Sequence, residues 1–92
     1  MEEIKKGDYY KHFKGKNIYQ ILASNVTYTG TNTNCELTNL VVYQNIIDGK
    51  IFTREANELF EELDEEKQKQ YGQKYRIKKI SEEEAKIIIQ EQ

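Results

Sequence analysis

LTNLVVYQNIIDGKIFTR, residues Leu37 to Arg54, decides the fold. It reads as two β-strands joined at Asp48-Gly49. The flanks are rich in Val, Ile, Tyr, Phe and Thr, side chains that suit a pleated, half-buried surface. Asp-Gly tolerates the positive φ that both central residues of a tight type I′ turn require. A two-residue loop there pairs Ile47 with Lys50, Ile46 with Ile51, Asn45 with Phe52 and Tyr43 with Arg54. This register predicts a core face of Leu40, Val42, Ile46 and Ile51, opposite an outer face of Val41, Tyr43, Phe52 and Arg54. On the outer face the Arg54 guanidinium is expected to lie over the Tyr43 ring, with Phe52 one step along. The trio then forms an apolar platform with a fixed positive charge, suited to a carboxylate, a phosphate or an acidic peptide. A competing reading places the trio under the C-terminal helix, with Arg54 paired to a glutamate.

Upstream, Gly7 to Phe13 alternates weakly and predicts a short strand. Lys14 to Asn17 follows as a turn. Ile18 to Thr29 is a long strand, apolar on both parities, as suits a strand that bends round a small barrel. Thr29 to Glu36 is a polar loop without a period. Downstream, Ala56, Leu59, Phe60 and Leu63 recur at helical spacing and predict one or two turns that lay Leu59 and Phe60 on the core. Asp64 to Lys74 is the most polar run. It either extends that helix, with Gly72 as its latest end, or forms a flexible insertion over 64–74. Tyr75 to Ile80 alternates as a final strand. Ser81 and Glu84 form a capping box opening a helix from Glu82 to about Gln90, whose stripe of Ala85, Ile88 and Ile89 must dock and whose Ile87 lies outside it.

The expected fold is mainly β: a small SH3-like barrel with a short helical segment before the last strand and a C-terminal α-helix. An α+β roll is the second choice. Residues 1–80 form the barrel domain, and residues 81–92 the helix packed on it. A chain of 92 residues fits one domain with one modest core.

Composition narrows the function classes. Residues 1–20 carry a balance of +2 and residues 55–92 one of −4, too mild a separation to argue for nucleic acid on charge alone. No run approaches the ~18 apolar residues of a membrane span. With Cys35 alone and no signal peptide at the start, a cytoplasmic location is expected. One His and one Cys cannot assemble a His/Cys zinc set, and no phosphate loop or nucleophile elbow occurs. No metal or cofactor is therefore expected. A Cys35–His12 pair is conceivable, against the reading of an ordinary loop thiol and strand imidazole, and the carboxylates lie on helix surfaces rather than in apolar settings. Seven tyrosines and no tryptophan point instead to a contact surface, since tyrosine joins a broad apolar face to a polar tip.

Three segments, Tyr10-Lys11-His12-Phe13-Lys14-Gly15, Leu40-Val41-Val42-Tyr43 and Phe52-Thr53-Arg54, are similar to a known series. They resemble a family of small bacterial domains of unknown function catalogued under the number 1653. Its members open with a Y-R-H-F-K-G type segment, continue with L-V-V-Y, and follow with an aromatic-x-R-P step and a Phe. The similarity covers about residues 7 to 60 and extends in a weaker match to Tyr75-Arg76-Ile77. Here Glu55 stands in place of the Pro and Phe52 in place of the usual Trp, and the TGTNTNC loop is longer. The resemblance implies fold kinship and a bacterial or phage cytoplasmic origin, and it carries no activity or catalytic residue.

The leading functional reading is a non-catalytic binding module that recognises a peptide or protein partner through an aromatic surface, as a monomer or weak dimer. Its binding residues are Tyr43, Phe52, Arg54, His12 and Tyr10. The alternative is a nucleic-acid or nucleotide-binding accessory domain using Lys11, Lys14, Lys16 and Arg54. An enzyme fragment acting through His12 ranks third.

Overall fold

The hairpin that organises the chain closes differently from the expectation, and the reason is Asn45. In the computed structural model, which describes residues 4–29 and 37–91, strands β3 (Leu37–Asn45) and β4 (Ile51–Glu55) pair Gln44 with Ile51, Tyr43 with Phe52, Val42 with Thr53 and Val41 with Arg54. The turn spans four residues instead of two. The Asn45 side chain accepts a hydrogen bond from the Ile47 N–H (3.0 Å), and its carbonyl accepts one from the Gly49 N–H (2.7 Å). Asp48 repeats the device by accepting from the Lys50 N–H (2.9 Å). These Asx turns wind the chain in a helical sense, so only Gly49 needs positive φ (+81°). The pairing of Tyr43 with Arg54 is thereby corrected to Tyr43 with Phe52.

A two-residue shift preserves which side chains share a face. It does not say which face is inside, and there the expectation held only in part: the face read as outer carries the main core, while Leu40 of the face read as core is also buried. Val41 is fully buried and Tyr43 nearly so, while Ile51 is 61% exposed. Leu40 is buried; Val42 and Ile46 are half-buried.

Around this hairpin the fold is mainly β, five antiparallel strands in the order β4-β3-β2-β1-β5 curled into a half-barrel. Strand β1 (Tyr9–His12) pairs with β2 (Ile18–Tyr28) on one side and with β5 (Ile77–Ile80) on the other. The long β2 bends as its two apolar parities require. Its pairing with β3 shifts register between Ile21 and Ala23, between Ala23 and Val26, and between Val26 and Tyr28, with Asn25 at positive φ. The loop expected over Thr29–Glu36 falls outside the described residues from position 30 onward.

Helix α1 (Ala56–Leu59) covers the concave face. Ala56 and Leu59, with Phe60 beside them, pack on Tyr10, Ile21, Val41, Tyr43 and Ile77. The chain then runs antiparallel to itself. Leu63 N–H donates to the Lys74 carbonyl (2.8 Å), Arg76 N–H to the Glu61 carbonyl (3.0 Å), and Glu62 bridges Tyr75. Helix α2 (Glu65–Tyr71) caps this two-stranded excursion as a unit separate from α1. Asp64 accepts from the Lys67 N–H (2.8 Å) at its start, and Gly72 ends it at φ +66°.

Helix α3 (Glu82–Gln90) follows its capping box, with the Ser81 Oγ accepting from the Glu84 N–H (3.1 Å). It docks on the opposite face of the sheet: Ala85 and Ile88 meet Ile18, Ile80, Tyr9 and Ile46. Ile89 was expected in the docked stripe and instead lies exposed beside Ile87. Among the described residues, no helix is long and apolar enough to cross a membrane.

Candidate functional site

The half-barrel brings one end of every strand to a small cavity on its concave face. His12 comes from β1, Tyr19 from β2, Tyr43 from β3 and Arg54 from β4. Arg76 immediately precedes β5, and Leu59 and Ile77 form the apolar floor. The registers put these positions on one face: Tyr10 opposite Tyr19, His12 opposite Ile77 and Ile21 opposite Tyr43. The cavity measures about 60 Å³. At roughly 10–15 Å³ for each water, it accommodates one small polyatomic group.

The aromatic members form a row across the sheet. His12 meets the Tyr19 ring edge-on at 6.3 Å, Tyr19 meets Tyr43 at 5.1 Å, and Tyr43 stacks on Phe52 at 5.7 Å. At the other end His12 lies 4.4 Å from Phe13, which meets Tyr71 of α2 at 5.0 Å. Edge-to-face and offset contacts of this kind each contribute about 0.5–1.5 kcal/mol beyond area burial.

Its electrostatics are one-signed. Burial pushes the Tyr43 hydroxyl above the ordinary tyrosine range, opposed by the nearby Arg54 and Arg76 guanidiniums. Tyr19 is raised by burial and by its neighbour Tyr43, against Asn17 and the same two arginines. Both phenols therefore keep their protons and remain donors. Burial, then Arg76, then Lys14 lower the His12 pKa, which favours the neutral ring. The Lys14 N–H donates to His12 Nδ1 (3.3 Å), so the neutral ring carries its proton on Nε2. Arg76 meets Glu61 through a single 3.6 Å contact. Among the described residues, no carboxylate lies within ion-pair distance of Arg54.

Three of the five residues singled out from the sequence, His12, Tyr43 and Arg54, meet in this cavity. Phe52 does not line it but stacks on Tyr43, which does. Tyr10 does not belong to it: its ring is 2% exposed and packs edge-on against Phe60, 5.4 Å away, as part of the core. The expected stacking of Arg54 over Tyr43 is corrected too. Arg54 sits two pairs along, opposite Val41, and reaches Tyr43 as a neighbouring charge and donor. The trio is not under the C-terminal helix, which occupies the other face. Tyr19 and Arg76 were missed. The parity of β2 could have placed Tyr19, but Arg76 enters only through the pairing of β5 with β1.

Together these features define a small, mainly β half-barrel domain whose concave face holds a basic, aromatic-lined cavity. Residues 8–79, well over half of the chain, match the family described as "Protein of unknown function (DUF1653)", and the chain belongs to that family. No curated protein and no solved structure matches the chain.

Proposed function

We propose that the chain is a non-catalytic binding module, a small SH3-like barrel in the cytoplasm that recognises a peptide or protein partner through its aromatic row. The return of β5 beside β1 in an otherwise sequential antiparallel sheet supports the SH3-like reading. The observation that carries the functional reading is the Tyr43–Phe52 stack. Phe52 is 42% exposed on the outermost described strand, with Arg54 on the same face and uncovered. An exposed ring held by a buried one is ready to accept a partner side chain without first losing rotamer freedom. The alternative, a nucleic-acid or nucleotide-binding accessory domain, draws on the two arginines and on Lys14 and Lys67, which both approach the Phe13 ring.

Peptides selected from a random library against the whole chain test the reading. A selected peptide should bind at least about tenfold more weakly to Phe52→Ser, whose stability should fall only by the ~0.5–1.5 kcal/mol of the lost Tyr43 stack, leaving the domain folded. Its affinity should depend only mildly on salt. Strong binding of single-stranded oligonucleotides that collapses with salt, with no peptide selected, overturns the peptide reading in favour of the alternative.

A further inference from the structure

We infer that the cavity between Arg54 and Arg76 is an oxyanion site, which takes one carboxylate or phosphate group of a bound partner. The inference rests on the binding-module reading and specifies the chemistry at one point of its surface.

The donors converge and few acceptors oppose them. Two guanidiniums, two phenols and His12 surround a space of about 60 Å³ that, among the described residues, no carboxylate lines. A guanidinium offers a planar fork of N–H donors that matches the paired oxygens of a carboxylate or phosphate. Arg54 has no ion-pair partner among the described residues, although acidic residues crowd the nearby segment after it. The two guanidiniums bring like charges to one small space, and an incoming anion compensates both. The floor of Leu59 and Ile77 lowers the local dielectric and strengthens each contact. Position is fixed from behind. The Arg76 N–H is bonded to the Glu61 carbonyl, and its carbonyl accepts from the Phe13 N–H (2.9 Å). Among the described residues, Glu61 is the one carboxylate within ion-pair distance of Arg76. Its single long contact, with the carboxylate 65% exposed, makes it a weak internal competitor rather than an occupant.

The experiment titrates the intact chain with inorganic phosphate and, separately, with acetate at constant ionic strength, following the His12 ring resonances by NMR. Saturable shifts confined to the cavity are expected with at least one of the two. Tighter binding of phosphate assigns the site to a phosphoryl group, and binding of acetate at least as tight assigns it to a carboxylate. Arg54→Ala should weaken binding about tenfold or more, the loss expected for a charge-assisted hydrogen bond. Arg76→Gln should do the same while keeping a polar side chain of similar length. Glu61→Gln should tighten binding, a result that a purely structural role for Arg76 would not produce. Absence of a saturable shift with either anion up to tens of millimolar overturns the site, as do shifts that survive both arginine substitutions. Neither failure touches the peptide-binding reading, which Phe52→Ser tests separately.

Discussion

Replacing Asn45 with alanine should destabilise the chain more than any other substitution in the central turn. The side chain is 94% buried and makes two hydrogen bonds, accepting from the Ile47 N–H at 3.0 Å and donating to the Asn17 Oδ1 at 3.2 Å. Each bond contributes about 0.5–1.5 kcal/mol net, so losing both costs about 2 kcal/mol. That shifts the folded-to-unfolded ratio about 30-fold. In a domain of this size it lowers the melting midpoint by roughly 8–16 °C. Urea melts followed by circular dichroism would measure it, with an unchanged m-value as the sign that the denatured state is unaffected. Asn45→Asp keeps the acceptor for Ile47 but sets a buried carboxylate oxygen against the Asn17 Oδ1, and should not restore the stability. Gln44→Ala serves as the control. Its Nε2 donates to the Gly49 carbonyl at an exposed position (3.1 Å), and its removal should cost within about 0.5 kcal/mol. If Asn45→Ala costs no more than Gln44→Ala, the Asx turn does not hold the register, and the placement of Tyr43 beside Phe52 needs another cause.

His12, lowered by burial and by Arg76 and Lys14, takes up its proton in the unfolded chain before the folded one does. The stability it contributes is complete above its unfolded pKa of 6.5 and is lost as pH falls below that value toward the folded pKa. Urea midpoints of the wild type should therefore drop between about pH 7.5 and pH 5 by more than those of His12→Asn, and equal drops would refute the assignment. Ser81→Ala removes the cap of α3 and should cost about 1 kcal/mol. A midpoint lowered by roughly 4–8 °C is the expected reading, and no change would mean that the helix contributes nothing to the fold. Amide exchange should be fast across α2, which buries no residue, and slow from Leu40 to Tyr43; strong protection in α2 would refute this.

The order of elements was legible because each is set locally. The Ser81 cap, the stop at Gly72 and the spacing of Ala56, Leu59 and Phe60 depend on residues a few positions apart. The register of the hairpin was not. Asp48-Gly49 is a strong local signal, but Asn45 lies within reach of the Ile47 N–H and competes for the same turn. The inside of the sheet was hidden for a different reason. Both faces of Leu40 to Tyr43 are apolar, and the choice belongs to α1, which lays Leu59 and Phe60 against Val41 and Tyr43. The site shows the same division. His12, Tyr43 and Arg54 stand in segments readable as strands, whereas Arg76 lies 64 positions after His12 and meets it only because β5 returns beside β1.

The excursion that carries α2 is closed at its base by the Glu62–Tyr75 bridge, so Arg76 is registered by backbone pairing and not by the helix beyond it. Doubling the length of such a closed segment costs only about 0.6 kcal/mol in chain entropy. The tip can thus be shortened, lengthened or replaced while the guanidinium stays where the sheet puts it. Of α2, Tyr71 and Lys67 approach the aromatic row, both through Phe13. The domain therefore separates a fixed charge from an exchangeable appendage. Under the proposed binding reading, changes at the tip retune which partner is preferred, while the anchor offered to it stays the same.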